Sequence, residues 1–520
     1  MTATTKLYEP IGPSDGLSRS QMRWLMGGLL MGLFLSSTEQ SVVSTALPTI
    51  AGDFGAANRI AWVVSVYLLT STVATPLYGK MSDLFGRRIV YQTSISLFLV
   101  GSIFCALSQS MNQLVAARAF QGLGGGGLMS LAFVIVGDVV SPRQRGRYIG
   151  LFTAVFTVSA ITGPLWGGLL VDGPGWRWVF WSVVPLSALT LVVIHRGLRL
   201  PFATRERHID WVGMALLVVG ATALILVPIW GGDTYAWGSW QIATAGAIAI
   251  AATAVFITQE NRAAEPIIPM RLFLDRTGAA VYAMGFLLMG SLIAVLTFLP
   301  LFLQIATGAS ATRSGLMLIP ESVGISLVAT GSGWLVSRTG RYKWAMLLGP
   351  LMATVALLWL TTIGPDTGAL SLAPVLFLLG AGLGLIFPNL TLSVQNAAAF
   401  ADLGIATSTS NFFRSMGGAF GAAVGGAILA GRLDTELADR LGAERLDEVG
   451  GAEGLIRSPA VVKDLDEALR QPIVEAVSES VVAIIWWAAP VMALVGVLAL
   501  LVREVALRTS SAIGGTDDTT

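Results

Sequence analysis

The chain has 520 residues, of which 54% are apolar and 12% charged, with a formal net charge of +1. The charged share is about half that of globular domains, which excludes an ordinary soluble protein. The near-neutral balance offers no basic face for nucleic acid, and the single cysteine, Cys105, excludes an intrachain disulfide.

Residues 1–22 are polar and hold no small-residue cleavage site, which predicts a cytoplasmic tail and a first span kept as an anchor. Fourteen apolar blocks follow, near 23–45, 60–78, 88–107, 112–137, 148–170, 178–195, 211–230, 240–258, 278–304, 314–336, 343–362, 370–394, 404–430 and 480–502. Each is long enough to cross roughly 30 Å of hydrocarbon. The cations sort by side. Lys80, Arg87, Arg88, Arg143, Arg145, Arg147, Arg196, Arg199, Arg205, Arg207, Arg262, Arg271, Arg276, Arg338, Arg341 and Lys343 follow even-numbered blocks, whereas the short loops after odd-numbered blocks hold Arg59, Arg177 and Arg313. This bias puts both termini in the cytoplasm and predicts a multi-pass protein of a bacterial cytoplasmic membrane.

The loop after the second block reads Gly79-Lys80-Met81-Ser82-Asp83-Leu84-Phe85-Gly86-Arg87-Arg88, four charges and two glycines in a tight cytoplasmic turn. Its acid and bases can form an ion-pair latch. A weaker echo, Gly333-Trp334-Leu335-Val336-Ser337-Arg338-Thr339-Gly340-Arg341, follows the tenth block with the same glycine spacing. Matching copies imply a duplicated bundle. Because they lie eight blocks apart and not six, two extra spans, 211–230 and 240–258, must separate the halves. The predicted architecture is an all-α membrane protein: a six-helix bundle at 23–195, a linker with two extra helices at 196–277, a second six-helix bundle at 278–503 and a cytoplasmic tail at 504–520. Parallel repeats with a substrate site between them are a transporter arrangement.

One long hydrophilic segment, 431–476, falls on the outer side and carries eleven acids against six bases. Residues 433–441 have the pattern of an amphipathic helix. The segment reads as a solvated hairpin cap, or more sharply as a gate or a docking surface for an outer partner.

Four central charges stand out, since a charge in lipid is costly unless paired or solvated. Glu39 and Arg118 both lie roughly 10 Å below the outer surface at 1.5 Å rise per residue, which predicts a salt bridge. A carboxylate held by arginine keeps its proton weakly, and one released into an apolar cavity keeps it tightly, so the pair suits proton coupling. A purely structural ion pair is the other reading. Glu321, after Pro320, reads as a second proton site, a cation-recognising carboxylate, or a group facing water at the outer mouth. Arg414, in Asn411-Phe412-Phe413-Arg414-Ser415-Met416-Gly417-Gly418, must face the bundle interior, for a structural or a functional contact. Gln40, Gln121, Asn411 and Arg414 are the candidate substrate-cavity residues.

The glycine runs bear on packing. Gly122 to Gly127 matches a dinucleotide fingerprint formally, but inside an apolar span with no strand before it the match is spurious and helix packing explains it. Gly163-Pro164-Leu165-Trp166-Gly167-Gly168 predicts a bend in the fifth span, as a hinge or as close packing between halves. No Walker loop exists, and His195 and His208 form no metal site. No cofactor or metal is expected.

Together these residues resemble the major facilitator superfamily, specifically its fourteen-helix drug/proton antiporter branch. Gly79 to Arg88 is similar to the superfamily loop signature, which implies that Asp83 and Arg87, with Gly79, Gly86 and Arg88, latch the halves in the outward-facing state. Arg118-Ala119-Phe120-Gln121-Gly122 resembles the fourth-helix motif tied to proton coupling. Gly163-Pro164 with Gly167-Gly168 resembles the fifth-helix antiporter motif associated with export. Ser41 to Pro48 with Glu39-Gln40, Trp176-Arg177-Trp178-Val179-Phe180, Glu265-Pro266 and Arg414 with Gly417-Gly418 extend the similarity. Three positions depart from the pattern: Glu39 stands where aspartate is usual, Val183 where asparagine precedes the proline (Pro185), and Ser337 where an acid would mirror Asp83. The resemblance implies the major-facilitator fold and a non-enzymatic efflux transporter driven by the proton gradient. Its partners would be protons, the bilayer and lipophilic or amphiphilic drug-like compounds, cations included. Export of one endogenous lipid, siderophore or antibiotic is the alternative.

Overall fold

The computed structural model describes residues 19–54, 60–198, 210–231, 235–263, 265–306, 308–309, 311–362, 364, 369–399, 402–441, 462 and 466–507. A chain that crosses lipid must satisfy its backbone within each segment, and helices do so. The described residues form helices and no strand, with one isolated bridge between Gly231 and Tyr235. In chain order they are α1 Arg19–Phe54, α2 Ile60–Phe85, α3 Arg87–Leu107, α4 Met111–Val139, α5 Pro142–Asp172, α6 Arg177–Gly197, α7 Trp211–Trp230 and α8 Trp240–Glu260. There follow α9 Arg271–Leu274, α10 Arg276–Ala306, α11 Ala311–Met317, α12 Ile319–Thr339, α13 Lys343–Leu360, α14 Ala369–Ala397, α15 Leu403–Leu441 and α16 Glu467–Leu501.

Twelve stretches of the described residues are long and apolar enough to cross a membrane: α3 to α8, α10, α11 with α12, and α13 to α16. The helices α1, of 36 residues, and α2, of 26, are not among the twelve. In α1 the polar run Ser36-Ser37-Thr38-Glu39-Gln40-Ser41 interrupts the apolar sequence.

Several helices outrun their apolar blocks, and two do so into the hydrophilic segment 431–476. The helix α15 continues to Leu441, and α16 begins at Glu467, well before residue 480. In both extensions one face is apolar and buried, Leu433, Leu437 and Leu441 on one helix and Ile473, Val474 and Val477 on the other. Arg440 binds Glu436, Glu475 and Glu479 across the pair. A mean over all faces hides such a stripe, which is why the apolar blocks stop short. This accounts for both ends of the segment 431–476; apart from Val462, its middle, 442–465, lies outside the described residues.

The buried side chains gather into separate cores. One large core runs from Ala280 to Leu507. Two others draw on α1 to α6, from Leu25 to Leu198 and from Val42 to Phe180. The pair α7 and α8 sits beside both sets: Ala221 and Ile225 pack with Val73 of α2 and with Phe412 and Met416 of α15.

Candidate functional site

The deepest polar cluster lies inside α1 to α4. Arg118 of α4 reaches Glu39 of α1 through Nη1, and both side chains are at most 1% exposed. The same Nη1 donates to Gln121 Oε1 at 2.7 Å, Nε donates to the Val63 carbonyl at 3.1 Å, and the guanidinium lies 4.2 Å from the centroid of the Tyr67 ring. Gln121 in turn donates to Ser102 Oγ at 2.7 Å. Ser36 Oγ lies 3.4 Å from the Tyr67 hydroxyl. Glu39 Oε2, by contrast, is sealed from solvent with no hydrogen-bond partner. One carboxylate oxygen is therefore held and the other is free, an arrangement able to take up and release a proton. Gln121 was expected to line the substrate cavity; the structure instead buries it completely as a partner of Arg118.

The second site lies at the arginine-rich end. Gly86 adopts φ 90°, a left-handed conformation that glycine tolerates, and so turns α2 sharply into α3. The turn sets Arg87 Nη1 against Asp83 at 2.5 Å and Arg87 Nε against Asp138 of α4 at 2.6 Å, while Arg87 also donates to Ser82 Oγ. This cluster abuts the first turns of α15. A Cβ on Gly404 would lie 2.5 Å from Asp83 Oδ1, and one on Gly79 would lie 2.5 Å from Ser408 Oγ. Asp83 thus faces the N-terminus of α15, where unpaired amides favour negative charge. Its carboxyl is pushed up to about 6, chiefly by burial, with Arg87 pulling it down and Asp138 raising it further. Arg87 is pushed above its ordinary value by Asp138 and Asp83 against the opposing effect of burial. Arg88 does not join this contact; it donates to the His195 carbonyl at the end of α6, within the same group of helices.

The echo sequence makes the matching seam between α5 and α12. Gly333 meets Gly146 backbone to backbone, so that a Cβ on Gly146 would lie 3.0 Å from the Gly333 carbonyl oxygen. Arg143 donates to the carbonyls of Ser337 and Arg338 at 3.1 and 3.3 Å, placing a cation at the C-terminus of α12. Farther along, Thr157 bonds Ser326.

The Gly163 motif behaves otherwise. Gly163 packs on Ser41 and Gly167 on Thr45, both of α1, so this contact lies within one group of helices and not between the halves. The helix runs unbroken through Pro164, and Gly168 faces open space.

Glu321 is buried in the first turn of α12, 3.5 Å from Ser322 Oγ, which removes the reading of a side chain facing water. Arg414 of α15 is half-buried, with its Cζ 5.0 Å from the centroid of Phe387 on α14. Asn411 lies three residues earlier, and its Nδ2 is enclosed with no acceptor. No group of His, Cys, Asp and Glu among the described residues could hold a metal ion, and His208 lies outside those residues.

Two partners escaped the sequence reading. Asp138 ends an apolar helix and carries no local signature. Glu265 takes the Lys80 ammonium at 2.6 Å, across 185 residues of chain.

The sequence matches the Major Facilitator Superfamily over residues 29–422. It is 39% identical over 491 residues to an uncharacterized MFS-type transporter of Mycobacterium tuberculosis (strain ATCC 25618 / H37Rv), covering 94% of this chain and 71% of that one. Multidrug transporter protein MdtP of Bacillus subtilis (strain 168) is 36% identical, with 80% and 76% covered. Multidrug resistance protein 3 of the same bacterium is 31% identical, with 95% and 97% covered. In fold, the human organic anion transporter MFSD10 (TETRAN) matches with a TM-score of 0.60 at 15% identity, covering 90% of this chain and 99% of that chain, a likeness of fold alone. The helical architecture and these matches make the chain a multi-pass membrane transporter, not an enzyme, and a member of the major facilitator superfamily.

Proposed function

We propose that the protein is a proton-coupled efflux antiporter that exports lipophilic or amphiphilic drug-like compounds by alternating access. The reading rests on one observation above all: a carboxylate and a guanidinium, both sealed from water, with one carboxylate oxygen left without a partner. A structural ion pair gains nothing from that free oxygen, since an unsatisfied buried acceptor costs about 1–3 kcal/mol. A carboxylate oxygen with no donor on it is open to a proton. The multidrug names of two Bacillus subtilis relatives support the substrate class.

In this reading α1 and α2 also span the membrane, making fourteen spans, with α7 and α8 as the extra pair between two six-helix halves. Both termini lie in the cytoplasm of a bacterial cell. The seams of α2 with α15 and of α5 with α12 then close the cytoplasmic end, which is the outward-facing state. Glu39 carries the proton, Arg118 holds it when ionised, and Glu321 is a second buried carboxylate on the path.

The test is proton release from everted vesicles, screened with dyes, antibiotics and lipids. Glu39→Gln is expected to abolish coupled proton movement while the protein remains in the membrane. Full coupling in that variant would overturn the assignment.

A further inference from the structure

Among the described residues, the arginines set into the interior are supplied with acceptors, and the half-buried Arg414 is the exception. Arg118 has Glu39, Gln121 and the Val63 carbonyl. Arg87 has Asp83, Asp138 and Ser82. Arg145 has the carbonyls of Val140 and Gly137. Arg414, among the described residues, makes no hydrogen bond and no ion pair; its one ring contact is Phe387. A guanidinium carries five N–H donors and never gives up its charge under physiological conditions. In the interior of a membrane protein that charge is costly unless something pairs with it or solvates it.

Two further polar groups on these helices also lack partners. Arg414 extends between α10 and α14, its Cγ 2.9 Å from where a Cβ on Gly285 would stand. Asn411 shares its face of α15, since residues three apart on a helix are neighbours. The Asn411 Nδ2 is enclosed without an acceptor, and so is the hydroxyl of Tyr282 on α10, whose ring stacks on Phe413 at 5.8 Å. The carboxylates of the interior are elsewhere: Glu39 is paired in the other half, and Glu321 is on α12 beside Ser322. Phe387 lays an aromatic ring beside the charge, and Tyr282 stacks on Phe413, the residue before Arg414. A planar fork of donors beside aromatic rings is what an oxyanion on an apolar body requires.

Resting on the transport reading above, we infer that Arg414 and Asn411 form an anion-receiving site, which takes the carboxylate, sulfonate or phosphate of an amphiphilic substrate. The extra charge of the C-terminal half is then balanced by cargo, and water serves in its place when the chamber is empty and open.

The test uses the full chain in proteoliposomes with no proton gradient, so that a failure of proton coupling leaves the readout untouched. The probes are radiolabelled taurocholate, an amphiphilic sulfonate, and tetraphenylphosphonium, an amphiphilic cation. Saturable taurocholate binding is expected in the unaltered protein. Charged hydrogen bonds are worth about 1.5–3 kcal/mol, so Arg414→Gln should weaken it by roughly tenfold to a hundredfold, and Arg414→Lys by less. Cation binding should hold or tighten in both. Asn411→Asp, which keeps the arginine and offers it an internal carboxylate, should also lose taurocholate and keep the cation, and covers the case of an unfolded Arg414→Gln. Vesicles of phosphatidylcholine alone and with phosphatidylglycerol separate the sources: competition by the anionic lipid would assign the site to a headgroup, and its absence to a soluble substrate. Taurocholate that fails to bind, or binds Arg414→Gln and Asn411→Asp as well as the original, would overturn the proposal. So would equal loss of both probes, which would mark Arg414 as structural.

Discussion

Asp83 shows how one residue can make a conformational equilibrium sensitive to pH. Docked against α15, its carboxyl titrates at about 6, against an ordinary 3.8, with burial the largest cause. In the proposed cycle the loop swings free into water and the ordinary value returns, so closing this end binds a proton. For an acid whose value rises in the closed state, the stabilisation is complete below about 4 and is lost as pH climbs through about 6. Between pH 7 and pH 5 linkage predicts about a tenfold shift toward the closed form, or ~1.4 kcal/mol. Spin labels on the cytoplasmic ends of α2 and α15 should report that shift as a distance population. Asp83→Asn cannot titrate, so the part of the shift that Asp83 contributes should be lost over the same range, with alternation impaired and substrate binding near normal. A pH response of undiminished size after the substitution, or a loss of binding, would assign the loop another role. Little of this was legible in advance. The motif marked Asp83 as a latch, but its counterpart on α15 is Gly404 with Ser408 close by, residues with no charge to announce them.

At the scale of elements, the seam between α5 and α12 depends on two glycines that meet without side chains. A Cβ on Gly333 would fall 2.6 Å from the Gly146 carbonyl carbon, and backbone cannot step aside as a flexible side chain can. Gly333→Val is therefore expected to wedge the cytoplasmic seam apart. Gly331→Val, on the same helix with nothing within 4 Å, is the matched control. The one native cysteine, Cys105, is buried, so a cysteine placed at Ser337 can be labelled selectively. Its labelling should rise severalfold with Gly333→Val and stay at the original rate with Gly331→Val. The echo of the loop motif pointed to Gly333 in the sequence. Its partner did not appear there, because Gly146 sits among arginines that read only as a cytoplasmic loop. The Gly163 motif shows the converse: spacing found the glycines, yet their neighbour is α1 of the same half, and no pattern within one helix specifies which helix lies opposite. Hydropathy found the apolar segments of the long helices; the period of 433–441 showed the amphipathic end of α15, and the start of α16, where only one face is buried, went unread.

For the whole molecule, the question is what the inserted pair α7 and α8 contributes to a fold already closed by its two seams. The connection after α8 is fastened to the first seam. Glu260 accepts from the Ile268 amide at 3.1 Å, Ile267 and Ile268 are buried with Ile405 of α15 and Leu77 of α2, and Glu265 pairs with Lys80 of the loop motif. The insert thus touches both sides of the same seam, and in the proposed cycle it must shift or strain whenever that seam opens. The size of the effect can be bounded. The Lys80–Glu265 side chains are 16% and 38% exposed, and pairs of that kind contribute about 0.2–1 kcal/mol, a factor of roughly five at most. Glu265→Lys removes that attraction and adds a repulsion of similar size, so it should lower the closed population by up to about 2 kcal/mol, and Lys80→Glu should do the same. Combining the two reverses the pair and should recover most of the loss, since the geometry is kept and only the signs exchange. The same distance measurement across α2 and α15 reads all four proteins in one double-mutant cycle. Recovery would place the insert among the elements that set the gate. Equal, additive losses without recovery would mean that the ion pair is incidental and that the apolar contact of Ile267 and Ile268 holds the insert in place by itself.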